Sequence, residues 1–345
     1  MTNDFKRILA EMSEIMQKKY CLVPGCKCKR IIKAHTVQNK GGLSAISKDG
    51  LVCTFTRNPQ IFVGLLEADS KIRSGFSMDG ATHYWQEPER IGHNVASTIT
   101  GFCSEHDRTV FAPIEVEEFL PTDQQIRLFA LRCLAYELYR KEVAAKEQVP
   151  ELTKKLSTDD RWNEIIDIQH QGTILGMEMA RSIFNELYFG LNNESDIKLD
   201  YVLFELNQVP EIVYSFSRFV NMDMAPVTPE MIEKRDFQWI TCSCFYKNEK
   251  GFILFSWNHE HKYPRLFIEL VLRNMDPGNL IANLFFLFAE NVYFSPTWWD
   301  SLTVSKRIAI EKEIITLYPD VMRILVEKPR RIVEWDLTHI SNCDI

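Results

Sequence analysis

No stretch of this sequence comes near the roughly twenty uninterrupted apolar residues of a membrane-spanning helix. The longest apolar run, in NLIANLFFLFAENVYF, is interrupted by Asn283 and ended by Glu290-Asn291, as expected of a buried helix. The first twenty residues, MTNDFKRILAEMSEIMQKKY, space their apolar positions with charges and so lack a signal-peptide core; the expectation is a cytoplasmic protein with no membrane contact. Internal repeats and low-complexity tracts are also missing. Nor do the nine cysteines suggest a disulfide framework. Their number is odd and beyond the first pair they are scattered, which fits a reducing compartment and metal or core roles. Cys133, inside LFALRCLAYEL, reads as a small buried apolar residue.

What is present is an ordinary globular composition. Hydrophobic residues make up 46% and charged residues 25% of 345 residues, enough chain for two or three domains and too apolar for general disorder. The net charge of −7 is unevenly spread: residues 1–60 hold eleven Lys and Arg against four Asp and Glu, a balance of +7 that leaves −14 for the remainder. A basic end on an acidic chain is compatible with nucleic-acid contact at that end, or with a simple solvated face.

Periodicity divides the chain into three. Residues 4–19 read as an amphipathic helix, with Phe5, Ile8, Leu9, Met12, Ile15 and Met16 on one face. Short strand-like runs follow, at 51–55, 61–63 and 96–102, with turns at Gly41-Gly42 and Asp49-Gly50. Pro121-Thr122-Asp123 signals a helix start, with the helix expected to reach about Lys146 and a break at Val149-Pro150. One helix or a pair spans about 158–190, then a loop over 192–198. Beyond it, 238–246 and 251–257 predict a hairpin, helices return near 278–290 and 300–317, and Trp298-Trp299 reads as a core corner or an exposed contact, with core the expected use. The expected class is α+β, with domains over 1–120 (zinc-binding), 121–195 (helical) and 196–345 (mixed α/β).

Chemistry concentrates in the first 110 residues. Cys21 and Cys26 in CLVPGC, and Cys103 and His106 in CSEH, form two knuckle-like pairs supplying the four ligands of a tetrahedral Zn²⁺. Pro24-Gly25 provides a tight turn in the first pair, and the spacing of three in the second suits one helical turn. Cys28 competes with Cys26, and His35 with either. Between the pairs runs Lys27-Cys28-Lys29-Arg30-Ile31-Ile32-Lys33-Ala34-His35, a basic segment ending in a histidine. His93-Asn94 reads as a loop pair, because neighbours on a strand face opposite ways. His83, and the pair His259 and His261, carry less signal.

A cysteine pair, a strand ending in Ala34-His35, and a second strand, Thr98 to Phe102, leading into CSEHDRTVF together resemble the HNH endonuclease family. The likeness covers about 90 residues. It implies a treble-clef, ββα-metal-like zinc unit with structural Zn²⁺ on Cys21, Cys26, Cys103 and His106. It implies further that His35 is a general base and that Asp107, or His106, holds a catalytic Mg²⁺ or Mn²⁺. Ala34 stands where an acidic residue is usual, and Asn94 is the sole candidate for the middle asparagine. On this reading Lys27, Lys29, Arg30 and Lys33 contact phosphates, of DNA more readily than RNA. The implied activity is phosphodiester hydrolysis, as in bacterial defence nucleases, with residues 200–345 receiving a protein partner or small ligand. A non-catalytic zinc-stabilised module that binds nucleic acid or protein is the alternative.

Overall fold

The computed structural model describes residues 19–55, 87–156, 160–192, 195–221, 238–288, 290–314 and 321–344. The helix expected over 4–19 (all but its last residue), the strand at 61–63 and His83 lie outside them. The class is α+β, as the patterning predicts. Its elements are β1 (Ile31–His35), β2 (Leu51–Thr54), β3 (Glu89–Gly92), β4 (Thr98–Cys103), α1 (Ser104–Val110), α2 (Ala112–Glu115), α3 (Asp123–Val143), α4 (Val149–Leu156) and α5 (Asp160–Gly190). Then come β5 (Leu199–Leu206), β6 (Ile212–Val220), β7 (Gln238–Lys247), β8 (Lys250–Asn258), α6 (Lys262–Arg273), α7 (Pro277–Phe288), β9 (Val292–Phe294), α8 (Pro296–Ser301), α9 (Val304–Ile314), α10 (Val321–Val326) and β10 (Leu337–Ser341).

The strands form two sheets. One is an antiparallel pair, β1 with β4, registered Ile31 to Cys103 at one end and His35 to Thr98 at the other. The second has eight strands in the order β10-β5-β8-β7-β6-β9-β2-β3. Its central strands are buried on both faces, so they read as nearly continuous apolar runs. Ile240, Cys242, Ile253 and Phe255 face one way, against Phe267 and Ile268 of α6 and Leu280 and Leu284 of α7. Trp239, Phe245, Phe252 and Leu254 face the other, against Phe129 of α3 and Phe184 and Leu187 of α5. The β7–β8 turn places Asn248 and Glu249 at φ 52° and 63°, the two positive values of a two-residue hairpin turn. Trp298 and Trp299 are buried, and so is Cys133, whose Sγ reaches Ser243 Oγ at 3.1 Å.

Two helix expectations need correction. No break occurs at Val149-Pro150, because a π-helical turn over Ala144–Gln148 joins α3 directly to α4. Pro150 stands immediately after that π turn, as the second residue of α4. The helix expected over 300–317 is two: α8 ends at Ser301, and Val304 begins α9.

A buried polar ring joins the N-terminal strands to the large sheet. Thr36 Oγ1 and Ser97 Oγ are 2.7 Å apart, Ser97 Oγ donates to Asn291 Oδ1 at 2.9 Å, and Asn291 Nδ2 donates to Thr36 Oγ1 at 2.9 Å. The Ser97 N–H donates to the Tyr293 hydroxyl at 2.7 Å. All three ring residues are at most 4% exposed. Replacing Asn291 by Ala removes one acceptor and one donor from two buried hydroxyls, which keep each other, the Ser97 carbonyl and the Val37 N–H as partners, and should cost about 1 kcal/mol of stability. The urea unfolding midpoint measures this, and an unchanged midpoint would show the ring to be dispensable.

Candidate metal centre and the His35 site

The first knuckle is built as an extra edge beside β4. Tyr20 N–H and Leu22 N–H donate to Thr100 and Gly101 carbonyls at 3.3 and 2.8 Å, and Cys26 N–H closes the turn onto Val23 O at 3.2 Å. Gly25 turns with φ 72°, a region that favours glycine. At Gly101 a Cβ would come within 2.9 Å of Ile99 Cδ1 and 3.1 Å of Leu22 Cδ1, so a side chain here would push aside the tips of both. Arg181 of α5 grips the knuckle from outside: Nη1 donates to Leu22 O at 2.7 Å while Nε donates to Glu142 at 3.2 Å.

The second pair comes from the β4–α1 junction. Cys103 is the N-cap of α1, and its Sγ accepts from His106 N–H at 3.5 Å. One ligand atom from each of Cys21, Cys26, Cys103 and His106 lies within 4.8 Å of the others. Cys26 Sγ and Cys103 Sγ are 3.9 Å apart, and His106 Nδ1 is 3.4 Å from Cys21 Sγ and 3.3 Å from Cys103 Sγ. A tetrahedral zinc with ordinary bond lengths sets edges of about 3.8 Å between sulfurs and about 3.5 Å between sulfur and nitrogen. The donor set therefore fits zinc, with Nδ1 as the histidine donor. Cys28 is exposed and His35 is engaged elsewhere, so neither is among the converging ligand atoms. Burial pushes the Cys21 thiol up to about 12. At Cys103 burial acts in the same direction but is outweighed by the His106 backbone N–H and neighbouring donors, leaving the thiol below its ordinary value.

His35 ends β1 and meets residues from the long excursion between β1 and β4. Asn39 opens a π-helical turn (Asn39–Leu43) just beyond it. Asn39 Oδ1 accepts from His93 Nδ1 at 2.7 Å, which leaves its Nδ2 to donate to Asn94 Oδ1 at 3.1 Å and towards His35 Nε2 at 3.4 Å. So His93 and Asn94 do converge on His35. Both lie in the turn after β3 rather than on a strand, and the alternation rule does not apply to them. Asn39 carried no sequence signal beyond its position four residues after His35.

Burial holds the His35 imidazole below its ordinary pKa, against the opposing pull of the Ala96 backbone and Glu115. Its Nδ1 is buried with no hydrogen bond of ordinary geometry. Asp107, on α1, is raised by burial, with Arg132 acting to lower it and Glu115 to raise it. Among the described residues the Cys₃His set is the one group of three or more such ligands that converge, so Asp107 is not part of a second assembled cluster. Lys27, Lys29, Arg30 and Lys33 are all exposed, as a strip leading from the knuckle into β1. His259 stands in an exposed turn, as expected, with its Nδ1 2.8 Å from Asp200 Oδ1.

Metal analysis by native mass spectrometry should find one zinc per chain, lost in Cys21→Ser and in Cys103→Ser and kept in Cys28→Ser. Retention should weaken as pH falls, because protons compete for thiolate and imidazole ligands. Zinc lost in Cys28→Ser, or kept in Cys103→Ser, would refute this ligand set. No family model, curated protein or solved structure matches the chain, so its function is read from these side chains alone.

Proposed function

We propose that the N-terminal unit hydrolyses phosphodiester bonds in nucleic acid, with His35 as general base on an HNH-like ββα scaffold braced by zinc. The observation that carries this reading is the state of His35. It sits at a strand end, is kept neutral by burial, and turns Nε2 towards an amide donor, Asn39 Nδ2. With Nε2 as acceptor, the neutral ring carries its proton on Nδ1. Nε2 is then the atom that takes a proton from an attacking water, replacing a long hydrogen bond to Asn39 with a shorter one. Lys27, Lys29, Arg30 and Lys33 supply sequence-independent attraction for the backbone.

In this proposal Asp107 is the hard-oxygen ligand that would hold Mg²⁺ or Mn²⁺, since such ions are commonly held by one or two carboxylates plus substrate phosphates. A bound ion would supply charge for the leaving oxygen. One observation favours the alternative, a zinc-stabilised binding module: outside the Cys₃His set, no ligand cluster is assembled among the described residues.

The discriminating experiment is cleavage of plasmid DNA and of RNA with Mg²⁺ or Mn²⁺, comparing wild type with His35→Ala. The variant should lose at least about a hundredfold in rate, the usual worth of a general base, while keeping its zinc. Equal cleavage by the variant removes His35 from the reaction, and binding without cleavage by either protein leaves the binding module. If His35 is the base, the acid limb of the rate profile lies below about pH 6.5, because the base stays unprotonated until pH drops through its lowered pKa. The same shift should make folding stability fall as pH drops from the unfolded histidine value towards the folded one.

A further inference from the structure

Beside His35, side chains from outside the resembling motif gather in a way the zinc scaffold does not require. Arg132 of α3 is 4% exposed. Its Nη2 meets Glu115 at 2.6 Å, its guanidinium lies 4.6 Å over the Phe111 ring, and its Nε and Nη1 are buried without partners. Lys247, at the end of β7, donates to the Ile114 carbonyl at 2.8 Å, and Gln38 Nε2 donates to the same oxygen. The Gln38 Oε1 is likewise buried and unpartnered. Arg132 and Lys247 act on each other as like charges, with Glu115 opposing, and both Arg132 and Glu115 act on His35.

Buried polar atoms are nearly always satisfied, so the unpartnered Nε and Nη1 of Arg132, which is tied to the Glu115 carboxylate, mark a place built for a further acceptor. Arg132 and Lys247 reach neighbouring residues of α2, one the Glu115 side chain and the other the Ile114 carbonyl, and the half-exposed Glu115 carboxylate is the anion that meets Arg132. We propose that Arg132 and Lys247 form a seat for a phosphate group, that Glu115 occupies it as an internal anion, and that a phosphate displaces Glu115. The seat rests on the hydrolase reading only for its link to nucleic acid; the shared ligand chemistry is a tetrahedral phosphate, free or in a backbone. A guanidinium with unused N–H groups suits phosphate oxygens, and Lys247 adds a point charge.

The test titrates the full-length, zinc-loaded protein with inorganic phosphate, followed by ³¹P line broadening, and then uses phosphate to displace a fluorescein-labelled oligodeoxynucleotide. Glu115→Gln should bind inorganic phosphate about tenfold more tightly and Lys247→Gln about tenfold more weakly, each reflecting one charge at the seat. Both side chains reach solvent, and circular dichroism confirms folding; should Lys247→Gln misfold, Glu115→Gln alone decides. Affinity unchanged or weakened in Glu115→Gln overturns the seat. The predicted order with displacement of the oligonucleotide assigns the seat to backbone phosphate. The predicted order without displacement upholds it for free phosphate and detaches it from the hydrolase reading, whose own failure is read separately as absent cleavage.

Discussion

The pairing of β1 with β4 is the constraint on which the N-terminal unit depends. The two strands are separated by the excursion from residue 36 to residue 97, and closing a loop of that length costs about 4 kcal/mol of chain entropy. Each end of the pair is fastened by different chemistry. At the Ile31–Cys103 end stands the Cys₃His cluster, which a metal would tie together. At the His35–Thr98 end stands the ring of Thr36, Ser97 and Asn291, buried and mutually hydrogen-bonded. His35 lies next to the second fastening, and so takes its position from a strand nearly two hundred residues beyond Ser97 as much as from its own.

The division of labour explains which parts could be read from residues alone. Cys21, Cys26, Cys103 and His106 were legible because zinc demands rare residue types at short spacings, whatever the intervening length. The α+β class and the β7–β8 hairpin were legible because strands buried on both faces leave dense β-branched and aromatic runs. Asn39, Arg132, Glu115 and Lys247 were not. Each is a common surface residue type, and its meaning arises from contacts made across tens to more than a hundred positions. The break expected at Val149-Pro150 is absent for a local reason: a proline usually interrupts a helix interior, and here the wider π turn just before it carries the helix through.

Charge is distributed with the same economy. The basic strip from Lys27 to Lys33 is exposed, whereas Arg132 is buried between an aromatic ring and a carboxylate. A solvated cation attracts an approaching polyanion at long range, while a desolvated one discriminates at contact. The two sets sit on either side of His35 in the chain, one on the segment leading into β1 and the other on a helix packed behind it.

The eight-stranded sheet also has a seam. β9 is three residues long, and β2 is joined to it by a single residue pair, Cys53 with Phe294, beside the Thr54 hydroxyl on the Val292 carbonyl. On the other side of β9 the register with β6 runs over three pairs, and the central strands are matched over seven or eight. Amide protons along β2 and β3 should therefore exchange with solvent through an opening that leaves β5 to β8 protected, making this short strand the border between two cooperative units of different lifetime.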